Sequence, residues 1–481
     1  MSSNTSHSMP TQASPTQWIL HLGLGSFHRA HQAVYLNQLH QLGDTSWALA
    51  GGHIRPDMPE TIAALQAQGG AYTLETVSPR GEHAYERITA IKEVIGYTPD
   101  LAGLVAKAAQ AHTKIISFTV TEAGYYLDAN DTLDFGFQDL AHDLQAVQAG
   151  HAGHTIYGAL CTLLRARMAA QAGPVTLLNC DNLRHNGARA RTGLLQFITR
   201  VGDESLLAWV QANTTCPNGM VDRITPRPTP AVAERVKAAT GVVDAASLMG
   251  ERFIQWVIED DFIAGRPALE RVGVEMTNDV APFEEAKIRL LNATHSCIAW
   301  AGTLLGMTYI HEGSLHAPTR QLAYDYVTQD TIPVLTPSPL DLPTYRDVVL
   351  ERFCNEAIAD TNQRVAMDGF SKIPGFIAPT IRQRLARGES VAAVAMLPAL
   401  FLAYLQRWHV GGIAYEYQDQ AMDPAAAHAI CDAADPVKAF AANAILWADL
   451  AGQPALEDAL RVAYQRVLAF VAQHAPNAVA A

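Results

Sequence analysis

The chain is short of the residues that would take it out of a reducing, aqueous setting. It holds 6 cysteines in 481 residues. Cys161, Cys180, Cys216, Cys297, Cys354 and Cys431 are scattered, with no C-x-x-C pair and no tight Cys/His cluster. That spacing argues against a disulfide framework and against a structural zinc site. Basic residues are also scarce: 34 Lys and Arg stand against 47 Asp and Glu, a formal net charge of −13. Surfaces for nucleic acid or anionic lipid need clustered Lys and Arg, so neither partner is expected. Long apolar runs are missing too. The most apolar stretch, Val391 to Leu405, is too short for a bilayer and contains Pro398, so it reads as a buried helix. Residues 1–17 are rich in Ser, Thr and Pro and lack a basic n-region and an apolar run. A disordered tail is expected there, not a signal peptide, and the cytoplasm is the expected compartment.

What is present describes a globular protein, with 49% hydrophobic and 17% charged residues. The length exceeds what one core comfortably organises, so two domains are expected. Strand signals crowd the first part and nearly vanish after Pro282. The predicted division is 18–280 and 281–481.

Trp18 to Leu22 reads as a short buried strand running into Gly23-Leu-Gly-Ser-Phe-His-Arg29, followed by a helical pattern from Ala30 to Leu42. Strand, glycine turn and helix together make a dinucleotide fingerprint. Gly23 permits the tight turn, and Gly25 lets the backbone approach a pyrophosphate. His28 stands where the third glycine of the usual pattern would be. A second strand, Trp47 to Ile54, leads to Arg55 and Asp57. An acid here binds the adenosine ribose hydroxyls and favours NAD, whereas Arg55 is equally suited to the 2′-phosphate of NADP. Ala71 to Ile95 reads as extended segments forming an insertion. Lys114 to Val120 is the next buried strand, and its end brings Thr121 and Glu122 toward the expected nicotinamide position. A helix over Thr155 to Gln171, a strand over Val175 to Leu178 and an Asn-rich loop to Gly187 follow. Asn213 to Pro226 reads as a loop from its Pro, Gly and Asn content. The predicted fold is α/β: a Rossmann-type dinucleotide-binding domain with insertions, then a mostly α-helical domain.

Glu284 to Ala301 is an uninterrupted helical stretch behind Pro282. At about 100° per residue, Glu284, Lys287, Leu291, Asn292 and His295 share an arc of roughly 140°. Two readings are open for this mixed face. One is a helix with solvated Lys and Glu and with His295 and Asn292 hydrogen-bonded in the core. The other is a lysine base with an amide and an imidazole gathered around one substrate oxygen. Arg352 to Pro379 is a second region rich in functional side chains, among them Arg364, Asp368 and Lys372.

The motifs Gly23-Leu-Gly-Ser-Phe-His-Arg-Ala-His-Gln32, Thr119-Val-Thr-Glu122, Asn179-Cys-Asp-Asn182, Met220-Val-Asp-Arg-Ile-Thr-Pro226, the spaced Lys287, Asn292 and His295, and Asp368-Gly-Phe-Ser-Lys372 run in order along nearly the whole chain. Together they resemble the polyol-specific long-chain dehydrogenases, the family of mannitol 2-dehydrogenase and fructuronate reductase. One departure is Asn355-Glu356, where the family tends to have Asn-Pro. The resemblance implies a zinc-independent, NAD-dependent dehydrogenase acting on a small polyol. It makes Lys287 the general base and gives Asn292 and Asn182 the developing alkoxide. His295 then holds a neighbouring hydroxyl. Gly23, Gly25, Phe27, Arg29, Asp57 and Thr121 fall to the cofactor, and Asp222, Arg364 and Lys372 to the polyol pocket. Glu284 and Glu122 are supporting groups that tune the base or relay its proton. A lysine amine has an ordinary pKa near 10.4, so it serves as a base at neutral pH only when its surroundings lower it. Within the family, a linear pentitol competes with mannitol and with reduction of a sugar acid such as fructuronate or tagaturonate. Outside it stand a nicotinamide-binding regulator without chemistry and a zinc alcohol dehydrogenase. A monomer or small homo-oligomer is expected.

Overall fold

The computed structural model describes residues 15–475 except 121, 129 and 130. The described residues form two compact units, one of residues 15–76 with 83–280, the other of Val77–Glu82 with residues 281–475.

The first unit is built on six strands, β1 (Gln17–Leu22), β2 (Trp47–Gly52), β5 (Ile91–Ile95), β6 (Thr113–Phe118), β7 (Val175–Asn179) and β8 (Thr214–Thr215), paired in the order β5-β2-β1-β6-β7-β8. All five pairings are parallel. Counted within this sheet the order is 3-2-1-4-5-6, the doubly wound dinucleotide-binding arrangement, whose reversal lies between β1 and β6. Successive side chains leave a strand on opposite faces. Ile19, Ile115 and Leu178 therefore join one buried cluster with Val34, Leu36 and Trp256. Leu20, Ile116 and Leu177 join another with Leu160, Leu164 and Phe197. Burial on both faces explains why these strands are continuously apolar rather than alternating.

Three expectations change here. Ala71 to Ile95 is not simply an insertion: β5 is an edge strand of the main sheet, beside β2. Only β3 (Tyr72–Val77) and β4 (His83–Ile88) leave it, forming a separate three-stranded sheet with β10 (Leu248–Glu251). The supposed loop Asn213 to Pro226 contains β8 and also β9 (Gly219–Asp222), which pairs with β11 (Gln255–Glu259) beside β12 (Glu275–Thr277). Pro217, Asn218 and Gly219 signal a turn, yet the residues after them are buried and pair, so tertiary burial overrides local composition. The helix expected over Ala30 to Leu42 is α2 (Gln32–Gln41), and His31 separates it from a short helix, α1 (Ser26–Ala30), inside the stretch expected to be only the glycine turn.

The second unit is helical. Its centre is the buried helix Met396–His409 against Ala293–Leu304. Trp300 packs its ring 5.0 Å from Phe401 and donates its indole N–H to Ala366 O at 3.2 Å. No helix among the described residues is long and apolar enough to cross a membrane.

Candidate active site

In the first unit, the carboxyl ends of β1 and β6 open on a cavity of about 640 Å³. Gly23 turns the chain there with φ +105°, and a Cβ in its place would lie 2.9 Å from Thr119 O. Its amide donates to Gly52 O at 2.8 Å, tying the turn to the end of β2. Gly25 caps α1 with φ −69° and ψ 177°, and a Cβ there would meet no atom within 4 Å. The backbone thus presents bare to open space, with Phe27 on the same wall. Asp57 lines the cavity where the second strand ends and accepts a 2.7 Å hydrogen bond from His53 Nδ1. Such a size, a bare amide turn and an acid at this strand end fit the pyrophosphate and ribose of a dinucleotide.

Arg29 does something other than expected. It is 2% exposed, donates to Leu24 O at 3.2 Å and to Ala246 O at 2.5 Å, and stacks on Tyr72. Its guanidinium is a strut inside the fold and is not among the groups that line the cavity. Thr121 and the side chain of Glu122 lie outside the described residues. Beside them stands a group that the sequence reading missed. The carboxylate of buried Asp181 accepts Val120 N at 3.0 Å and the Tyr125 hydroxyl, fixing the short turn Glu122–Tyr125. Asn182 follows it at an exposed position, and Asp222 is buried at the end of β9, opposite Gln255.

In the second unit the predicted continuous helix is not continuous. It runs as Ala281–Ala286, a π-helical segment Lys287–Asn292, then Ala293–Leu304. A π turn bonds i to i+5, so a residue five positions on lies one turn along. In an α-helix Lys287 and Asn292 would be about 140° apart. The π turn narrows that angle and brings them toward one face, with Lys287 5% exposed and Glu284 also buried. Backbone carbonyls released by such a turn need other partners. Buried Tyr326 supplies one: its hydroxyl lies 3.3 Å from both Arg289 O and Leu290 O, and 2.6 Å from Thr294 Oγ1. The side chain of Arg289, on the same turn, is fixed by Glu285 at 2.6 Å and Gln383 at 2.7 Å.

His295 stacks on Phe353 with ring centroids 4.4 Å apart, and its Nε2 lies 3.3 Å from Asp360 Oδ2. Burial lowers the pKa of the imidazole despite the nearby carboxylate, so it is neutral at pH 7, and with Nε2–H turned to Asp360 its Nδ1 is left to accept from a hydroxyl. Asp360 was not singled out from the sequence, although its i,i+4 spacing to Arg364 was a readable signal. Burial opposes its charge, but hydrogen bonds from His295 and Arg364 outweigh that and hold the carboxyl far below the usual range. Arg364 accordingly grips both Asp360 oxygens, Oδ1 at 2.6 Å, instead of pointing a free guanidinium at a ligand. Lys372 donates to Val365 O at 2.6 Å. Its turn is set by Gly369, where a Cβ would collide with the Phe401 ring at 2.1 Å. The turn is held from the Tyr415–Asp419 segment: Gly369 N donates to the Tyr417 hydroxyl and Phe370 N to Asp419. Among the described residues no three His, Cys, Asp or Glu side chains gather as a metal-ligand set.

Two family models cover most of the chain, a mannitol dehydrogenase Rossmann domain over residues 17–271 and a mannitol dehydrogenase C-terminal domain over residues 279–468. The chain belongs to the mannitol dehydrogenase family. As a member of that family it is a polyol dehydrogenase. It is 58% identical over 454 residues to D-arabinitol 4-dehydrogenase of Ralstonia nicotianae, spanning 94% of this chain and 97% of that one. The D-arabinitol 4-dehydrogenase of Klebsiella pneumoniae is 54% identical, over 90% of this chain and 94% of its own. Among solved structures, the ternary complex of Pseudomonas fluorescens mannitol 2-dehydrogenase with NAD and D-mannitol matches with a TM-score of 0.81. There the identity is 32%, over 96% of this chain and 95% of that one.

Proposed function

We propose that this member of the mannitol dehydrogenase family is an NAD-dependent D-arabinitol 4-dehydrogenase that oxidises one secondary hydroxyl of the pentitol to give D-xylulose. The observation that carries the substrate is identity of 58% across nearly the full length of a D-arabinitol 4-dehydrogenase. NAD is supported by the Rossmann unit, by Asp57 on the cavity wall, and by the NAD-bound relative.

In this reading Gly23, Gly25, Phe27, Asp57 and Thr121 of the Rossmann unit would hold NAD. When bound, NAD would supply the acceptor for the hydride that leaves the carbinol carbon. Lys287 Nζ takes the hydroxyl proton, and its burial keeps water from competing for that proton. Asn292, one π turn away, donates an amide N–H to the developing alkoxide, with Asn182 as the second amide donor. Neutral His295 binds a neighbouring hydroxyl, steadied by Asp360 and through it by Arg364. Lys372 and Asp222 meet the remaining hydroxyls, since each buried polar group left unpaired costs about 1–3 kcal/mol. Glu284 and Glu122 tune the base or carry its proton onward. No metal takes part, and the enzyme works in the cytoplasm as a monomer or small homo-oligomer.

Initial rates with D-arabinitol and D-mannitol, each with NAD and NADP, and with fructuronate, with NADH and NADPH, test the proposal. D-arabinitol with NAD is expected to give the highest kcat/KM, unchanged by exhaustive chelation. Turnover of fructuronate but of no polyol rejects it. Lys287→Ala is expected to lower kcat by about 10²–10⁴-fold while NADH still binds. Equal loss of both would make the lysine structural.

A further inference from the structure

Cofactor choice in a dinucleotide fold turns on the side chains just past the second strand. Here that segment, His53-Ile-Arg-Pro-Asp57, carries an acid and a cation a residue apart, with opposite preferences for a 2′-phosphate. Both line the cavity, and sequence alone does not rank them.

The structure treats the two differently. Asp57 exposes 60% of its side chain, whereas the His53 ring beneath it exposes 6%. An ionised carboxylate only accepts, so His53 Nδ1 carries the proton in their 2.7 Å hydrogen bond. A buried ring thereby aims an exposed carboxylate that would otherwise sample several rotamers. Arg55 is turned to other partners. Its Nε donates to His154 O at 3.0 Å, and its Nη2 to the Tyr126 hydroxyl at 2.9 Å and to Asp139 at 3.4 Å. The His154 ring closes the clamp by donating Nδ1–H to Ile54 O at 3.0 Å. Tyr126, Asp139 and His154 all line the same cavity. A 2′-phosphate brings a charge of about −1.5 to −2. It would meet one fixed acid, a second acid at Asp139, and a cation whose Nε and Nη2 are already engaged by other partners.

We propose that His53 is a positioning residue that fixes Asp57 for the ribose diol, and that the Tyr126–Asp139–His154 clamp keeps Arg55 from the 2′-phosphate. Selectivity for NAD is thus set by two restraints around the acid rather than by the acid alone. This rests on the NAD-dependent reading above, but its test is a binding measurement that does not need turnover. NADH and NADPH are titrated separately onto the full-length protein, following nicotinamide fluorescence, for the wild type and the variants His53→Ala, His53→Asn and Tyr126→Phe/Asp139→Asn.

His53→Ala is expected to weaken NADH by about tenfold and NADPH by far less. His53→Asn, which places an N–H donor near the position of Nδ1, is expected to restore most of that loss. The double variant is expected to tighten NADPH by about tenfold with NADH little changed. Equal weakening of both cofactors by His53→Ala, or no rescue by His53→Asn, overturns the positioning role. Unchanged NADPH affinity in the double variant overturns the clamp. Should His53→Ala not fold, as read by its cofactor-free thermal melt, His53→Asn against His53→Gln decides: only the former should retain selectivity. If these shifts hold while no polyol is oxidised, the substrate reading fails and the cofactor inference stands.

Discussion

Single side chains in this protein act mainly by being fixed. His21 is the clearest case in the Rossmann unit. Its Nδ1 donates to Ser117 Oγ at 2.8 Å, the hydroxyl passes its own proton to Gln32 Oε1, and the ring stacks on His28 at 3.5 Å. Burial, with a smaller contribution from nearby His53, lowers its pKa to about 3. The unfolded chain binds this proton near pH 6.5, whereas the native state refuses it until far lower pH. Stability is therefore complete above pH 6.5 and is lost as pH falls below it. At pH 5 the loss from this one residue is about 2 kcal/mol. Urea midpoints measured between pH 7 and 5 should show it, and His21→Asn should flatten the slope by about one proton. An unchanged slope would mean that His21 is charged in the native state. His28 is shifted the same way by burial, with smaller contributions from its neighbours, so a residual slope should remain.

At the scale of elements, the π turn is the feature that the sequence did not announce. Lys287 to Asn292 have the composition of an ordinary helix, and nothing in Ile288, Leu290 or Leu291 distinguishes i+5 from i+4 bonding. What settles it is Tyr326, a non-local partner that no window around Lys287 contains. Tyr326→Phe should therefore destabilise the helical unit by about 1–3 kcal/mol, because it leaves buried carbonyls without a donor. Denaturant midpoints would measure this, and a loss below a few tenths of a kcal/mol would assign those carbonyls another partner. The glycine turn was legible for the opposite reason. Gly23, Gly25 and the strand before them are contiguous, and their turn chemistry is local. Arg29 misled because a motif fixes the position of a side chain, not its direction. β9 was hidden because its burial comes from β11, some thirty residues on. Asp360 was missed because its contact with His295 spans 65 positions, even though its pairing with Arg364 is local.

At the scale of the whole chain, the division of labour follows composition. The strand-rich part is a dinucleotide fold and the strand-poor part is a helical body, with the family boundary falling between residues 271 and 279. A ligand that binds only the native state stabilises it by mass action. NADH at 100 times its Kd should therefore raise stability by about 2.7 kcal/mol, and the thermal midpoint should rise with NADH concentration. NADPH at equal concentration should do much less. Equal protection by the two would remove the case for NAD preference.

The irregular turn at Lys287 has one more consequence. It is, in effect, a helix carrying a single surplus residue. Deleting one position between 287 and 292 would let ordinary α bonding close over the gap and leave amine and amide four residues apart, about 40° around an α-helix and still on one face. Such a shortened chain would have a more regular backbone, and the Tyr326 hydroxyl would lose the carbonyls that it now serves. The surplus residue is thus absorbed within one turn, and the helix on either side keeps its facing.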